Sequence, residues 1–169
     1  GPAGTSINDL ELMYFSLIHV SEKPSAWLQQ ACTYYSKRLP PEFGFSDIAL
    51  TPAKRTKNSH LETLRDQEWS QICAKIPKSS LLVLLDERGK SYTSAQFSQQ
   101  IQDWQLAGQD ITFVIAGADG VNPHHRQQAS SSISLSAMTL PHEMARLILI
   151  EQLYRCLLYT SPSPRDLST

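Results

Sequence analysis

Long apolar runs are missing from this chain of 169 residues: no stretch approaches the roughly 18 apolar residues that a membrane-crossing helix needs. An excess of charge of either sign is missing as well. Fifteen Lys and Arg against sixteen Asp and Glu leave a formal net charge of -1. No global field therefore draws the chain to nucleic acid, and any such contact has to come from a local patch. Cysteine is scarce. Cys32, Cys73 and Cys156 stand far apart, without Cys-x-x-Cys or Cys/His ligand spacing. That excludes a disulfide framework and a zinc site and reads as reduced thiols in a cytoplasmic or organellar compartment, with no metal expected. The familiar glycine motifs are absent too. No Gly-x-Gly-x-x-Gly follows the first strand, no Gly-x4-Gly-Lys-Ser/Thr appears, and there is no Gly-x-Ser-x-Gly elbow. Dinucleotide-binding, P-loop and hydrolase readings thus lose their support.

What is present is the composition of a single globular domain, 41% apolar and 18% charged. The ends differ from the rest. Gly1 to Ser6 is small and polar, like a linker or cloning scar, so residues 1–12 are expected to form a flexible leader. Ser161 to Thr169 has turn chemistry and little to bury, so residues 160–169 read as an atypical, foreign tail. One domain is expected over residues 13–159.

Strand-like and helix-like segments alternate in between. Met13 to Val20 is an apolar, β-branched and aromatic run and predicts a strand. Ser25 can cap a helix that places Trp27, Leu28, Ala31, Tyr35 and Leu39 on one face, stopped by Pro40-Pro41. Phe43, Phe45, Ile48 and Leu50 mark a second strand. The basic loop Lys54-Arg55-Thr56-Lys57 then precedes a helix carrying Leu61, Leu64, Trp69, Ile72, Cys73 and Ile76. Leu81 to Leu85 is continuously apolar, as a central strand covered on both faces should be. Ser94 opens a helix with Phe97, Ile101 and Trp104 inward, closed by Gly108. Ile111 to Ile115 predicts another buried strand, Asn122-Pro123 the cap and first residue of a short helix, and Ile133 to Leu135 a brief last strand. The longest helix runs from Pro141 to about Tyr159. Its apolar circumference exceeds what one sheet face covers, which points to a partner subunit. The alternation predicts an α/β fold with a mostly parallel sheet of five to six strands and helices on both faces.

Two segments carry the functional signal. Val114-Ile115-Ala116-Gly117-Ala118-Asp119-Gly120 reads as a buried strand entering a tight turn. Ser134-Leu135-Ser136-Ala137-Met138-Thr139-Leu140-Pro141-His142 is a small-residue stretch that stops at a proline and opens the long helix. Loops of this kind at neighbouring strand ends suit a nucleoside-like cofactor gripped by main-chain amides and carbonyls. Taken singly, the first is as well explained by a plain turn and the second by an edge strand.

Leu84-Leu85-Asp86 with Gly89-Lys90, Ile115 to Gly120, Ser134 to His142 and Glu151-Gln152-Leu153-Tyr154-Arg155 together resemble the ribosomal RNA large subunit methyltransferase H family, YbeA-like members of the SPOUT class. The resemblance runs in order from about Met13 to about Leu158. It includes Trp27, the Lys54 to Asn58 loop and Trp104 to Gly108. It implies a trefoil-knotted α/β domain, homodimeric, binding S-adenosylmethionine in the knot and methylating N3 of a pseudouridine in large-subunit rRNA, in the stem-loop facing the decoding centre. Cofactor contacts carry over to Leu85, to Ala116 and Gly117, and to Leu135, Ser136, Ala137, Met138, Thr139 and Leu140. Ala116 departs from the family's usual glycine, and its methyl group is harmless only at negative φ.

Removing the N3 proton calls for a base. His142 is the nearest histidine in sequence, at a helix start that disfavours its cation; a structural histidine fits equally well. His124 and His125 read as solvent-exposed. Arg155, beside the family's Tyr-Arg, is a candidate for holding phosphate or the cofactor carboxylate, whereas a surface ion pair suits Arg146 as well as function does. Lys54, Arg55 and Lys57 form the local basic patch that an rRNA backbone contact requires. The family ends in a Pro-Tyr-His-Arg-like tail that reaches the active site; here Arg165 and Asp166 follow Pro164 instead. A cofactor- or RNA-binding module with impaired turnover, and an unrelated nucleotide-binding α/β domain, are the competing readings.

Overall fold

The computed structural model describes residues 13–160. Ten elements alternate along the chain: β1 (Met13–Val20), α1 (Ala26–Ser36), β2 (Phe43–Leu50), α2 (Leu61–Lys75), β3 (Ser80–Ser91), α3 (Ser94–Leu106), β4 (Asp110–Ile115), α4 (Pro123–Gln128), β5 (Ser131–Ser134) and α5 (His142–Thr160). The strands form one sheet in the order β2-β1-β4-β3-β5, and every pairing is parallel. The expectations for residues 1–12 and 161–169 fall outside the described residues. Among the described residues no helix is long and apolar enough to cross a membrane.

The period-2 alternation of the strands builds two cores. Phe15, Leu17, Val83, Ile111 and Phe113 face one side, where they meet Leu28 and Cys32 of α1, Phe97 and Ile101 of α3, and Leu149, Ile150, Leu153 and Leu157 of α5. Ile18, Val20, Leu82, Leu84 and Val114 face the other side, covered by Trp69 and Ile72 of α2. Helices thus cover both faces, as a parallel sheet requires.

Several sequence expectations shift. Trp27 is 58% exposed, because α1 turns Leu28 and Cys32 inward instead. Leu61 and Cys73 are exposed on α2, which buries Leu64, Glu68, Trp69 and Ile72. Thr93, not Ser94, caps α3, in a reciprocal box with Gln96. The stretch from Leu135 to Leu140 is a bent loop and not an edge strand. α5 is covered largely by its own chain, through α1 and α3, so Leu157 is fully buried and, among the described residues of its expected partner face, only Leu158 stands exposed.

Candidate active site

β3 and β5 shape the site through a break in their pairing. Ile133 lies opposite Leu85 and again opposite Lys90, so Asp86 to Gly89 buckle out of the ladder. A Cβ on Gly89 would lie 2.6 Å from the backbone carbon of Ser132 and 2.7 Å from the nitrogen of Ile133. Only glycine allows that close approach. Gly120 turns the chain after β4 at φ +76°, and its N–H donates to the Gly117 carbonyl at 2.9 Å. Among the described residues only glycines have positive φ, so the alanine at 116 is accommodated without backbone strain.

These loops enclose a cavity of about 500 Å³ at the carboxyl ends of β3, β4 and β5, the usual place for a ligand in a parallel sheet and a volume suited to a small-molecule site. Eight of the nine expected cofactor residues line it: Leu85, Ala116, Gly117, Leu135, Ser136, Met138, Thr139 and Leu140. Ala137 belongs to the same loop but does not line the cavity. Leu84, Ile115 and Ile133 add apolar wall. Arg65, Asp86, Glu87, Arg88, Asp119 and Arg126 add charge that the sequence reading had not singled out, apart from Asp86 and Asp119 within their motifs.

Local hydrogen bonds fix the walls. The Ser134 hydroxyl donates to the Ser136 carbonyl at 2.8 Å, and the Ser136 hydroxyl accepts from the Met138 N–H at 2.9 Å. The Thr139 hydroxyl donates to Glu87 at 3.0 Å, joining the buckle to the last loop, and Arg126 is paired with Asp86. An apolar floor with a charged end suits a ligand that joins a planar ring to a charged group.

His142 opens α5 and lines the cavity; Arg155 does not line it and is paired with Glu151 one turn back. Arg55 lies at the rim, ion-paired with Asp119. Lys54 lines an adjoining groove against α2, and Lys57 is exposed on the same loop. The loop is anchored from below: the Ala53 N–H donates to Glu68 Oε2 at 2.9 Å, while the buried Oε1 of Glu68 sits beneath Gly117 without a hydrogen-bond partner.

Two polar groups depart from expectation. Arg146 is buried, not a surface residue. Its guanidinium donates to Asp47 Oδ2 at 2.6 Å and to Gln29 at 3.1 Å, and Asp47 also accepts from His19 at 2.8 Å. Burial lifts the pKa of Asp47, but the hydrogen bonds from His19 and Arg146 and the Arg146 charge outweigh it, so the net shift is downward. This network joins β1, β2, α1 and α5 just behind His142. His125 is buried too, stacked on Trp69 at 4.8 Å. Its Nδ1 accepts the Asn122 N–H at 3.1 Å, which leaves the ring proton on Nε2, facing Asp66 at 2.9 Å. His124, His125 and Asp66 gather closely enough for a metal ion, yet this pattern spends the ring's lone pair on capping α4. Burial, and the His124 charge, hold His125 below the ordinary imidazole value.

A family model described as "Predicted SPOUT methyltransferase" matches residues 13–163. Relatives that carry the name Ribosomal RNA large subunit methyltransferase H include the following three. The protein of Acidovorax ebreus (strain TPSY) is 43% identical over 143 residues, covering 85% of this chain and 92% of the relative. That of Herminiimonas arsenicoxydans is 38% identical over 152 residues, covering 90% of this chain and 97% of the relative. The Burkholderia lata protein gives 38% over 152 residues with the same coverage. With its parallel α/β sheet, its cavity at the strand ends and this match across nearly the whole described chain, the protein belongs to the SPOUT methyltransferase family.

Proposed function

We propose that this chain is an S-adenosylmethionine-dependent methyltransferase acting on N3 of a pseudouridine in large-subunit rRNA, in the stem-loop facing the decoding centre. The observation that carries this is the cavity itself, which gathers eight of the nine cofactor residues expected from the sequence. The cofactor supplies a methyl group already activated by its sulfonium, so the protein's part is placement, exclusion of water and handling of one proton. The backbone from Leu135 to Leu140 offers amides and carbonyls to an adenine edge, while Leu85, Leu135 and Leu140 supply the apolar walls. His142 is the proposed base. It opens α5 and lines the cavity, where a base that accepts the N3 proton contributes roughly 10²–10⁴ in rate. Lys54, Arg55 and Lys57 would meet the rRNA backbone beside the cavity mouth.

A homodimer and a trefoil knot belong to the same proposal. Trp27 and Tyr34 lie seven residues apart on α1; Tyr34 packs on Tyr35, Tyr35 on Tyr154, and Leu158 follows one turn later on α5. Those exposed aromatic and aliphatic groups on α1 and α5, with Arg38 over the Tyr34 ring at 3.6 Å, suit a second copy of the chain. The corresponding place of action is the cytoplasm. A binding module with impaired turnover is supported by one feature, Arg165 and Asp166 standing where the family has an aromatic residue and a histidine.

Calorimetry with S-adenosylmethionine and its demethylated product tests the site. Both should bind, and Thr139→Trp should abolish binding with little change in secondary structure. Absence of heat and of competition at high micromolar ligand would rule the site out.

A further inference from the structure

Building on the methyltransferase function proposed above, we infer that Asp119 is a positioning residue for the RNA: its carboxylate holds the Arg55 guanidinium at the cavity rim, aimed at a phosphate of the strand that carries the target base. Three features support this. Arg55 and Asp119 form an ion pair in which the arginine side chain remains 61% exposed and the aspartate only 19%. A carboxylate occupies at most two of the five guanidinium donors in a fork, so donors are left over for a phosphate. Both partners are also anchored from behind. The Asp119 carbonyl accepts from Arg65 Nε at 2.7 Å, and the turn that carries it is closed by the Gly120 to Gly117 hydrogen bond. The loop that carries Arg55 is pinned two residues earlier by the Ala53 N–H on the buried Glu68 carboxylate, and one residue later by the Thr56 N–H on the Ser59 hydroxyl at 2.7 Å.

A long side chain fixed in advance loses less freedom when it meets its phosphate. Asp119 lines the cavity, so the oriented cation stands next to the place where the methyl group is transferred. An exposed ion pair adds little to stability by itself, and its value here lies in orientation. The two effects have opposite signs. Neutralising Asp119 removes a negative charge from an RNA-facing rim, which by charge alone tightens RNA binding. Loss of orientation weakens it.

The test measures the affinity of the intact chain for large ribosomal subunits lacking the modification, by filter binding, alongside calorimetry with S-adenosylmethionine. Asp119→Asn should weaken subunit binding roughly three- to fivefold and shift cofactor affinity less than that. Asp119→Glu should restore most of the loss. Arg55→Ala should weaken binding at least as much, and the double variant should be no weaker than Arg55→Ala alone. Unchanged or tighter subunit binding by Asp119→Asn overturns the inference, as does a loss confined to cofactor affinity. If the parent chain binds subunits and Asp119→Asn weakens that binding while no methyl transfer occurs, the positioning role stands and the methyltransferase function fails. If methyl transfer occurs but Asp119→Asn binds subunits normally, the inference alone fails. A parent chain with no affinity for the subunits contradicts both.

Discussion

At Gly89 one hydrogen atom is all that separates the β3 buckle from the backbone of β5. An alanine Cβ would press against Ser132 and Ile133 main-chain atoms, and no flexible side chain is there to yield. Gly89→Ala should destabilise the fold by about 1–3 kcal/mol and weaken cofactor binding, whereas Leu106→Ala, at an exposed position, should leave both nearly unchanged. Denaturant midpoints with calorimetry would show this. His125 offers a second test at this scale. Its folded-state pKa lies below the ordinary value, so the unfolded chain binds more protons in mild acid. The sign follows: its contribution is intact above about pH 6.5 and is lost as pH falls through the lower folded value. Protonation also places a hydrogen on the nitrogen that accepts the Asn122 N–H. Stability and the emission of the stacked Trp69 should therefore change together below pH 6.5, and His125→Gln should flatten that part of the profile. An unaltered profile in the variant would assign the dependence to other groups.

Among the elements, α5 is held in place by charge as well as by its apolar face. Removing the carboxylate with Asp47→Ala leaves Arg146 buried and unpaired, which should cost about 3–5 kcal/mol. The double variant Asp47→Leu with Arg146→Met should recover much of the loss, as measured by urea unfolding. The contribution of Asp47 itself is complete above its unfolded value near pH 4, and it is lost as pH falls through the lower folded one. Nothing in the sequence pairs Asp47 with Arg146, which lie 99 residues apart, so a surface ion pair and a functional role suited the arginine equally and its burial went unseen. His125 was misplaced for the same reason, because its burial depends on Trp69 from another helix. The strands and helices themselves were legible, since period-2 and helical apolar spacing are local signals. Helix ends moved by a residue where two capping residues compete, as at Thr93 and Ser94. The cavity loops were legible only through resemblance: small residues and one glycine turn say little until the fold brings three strand ends together. The charged wall at Arg65, Arg88 and Arg126 had no sequence signal of its own.

For the whole molecule, the proposed dimer rests on the exposed residues Trp27 and Tyr34 of α1 and Leu158 of α5. Tyr34→Glu with Leu158→Glu should leave the melting temperature of the monomer nearly unchanged while light scattering shifts from dimer to monomer mass. A monomeric parent chain would remove the dimer from the account. Leu157 is no substitute for this test, being fully buried in the chain's own core. The tail bears on turnover: Tyr and His in place of Arg165 and Asp166 should raise the rate by roughly a hundredfold, by restoring the placement of the target base. The most direct measurement is transfer of labelled methyl from S-adenosylmethionine to ribosomes that lack the modification, with the labelled nucleoside identified by digestion. The expected result is label in a single N3-methylated pseudouridine of large-subunit rRNA, slow with the present tail, faster with the replaced one, and abolished by Thr139→Trp. Absence of label from both tails, or label in any other nucleoside, would contradict the proposed function.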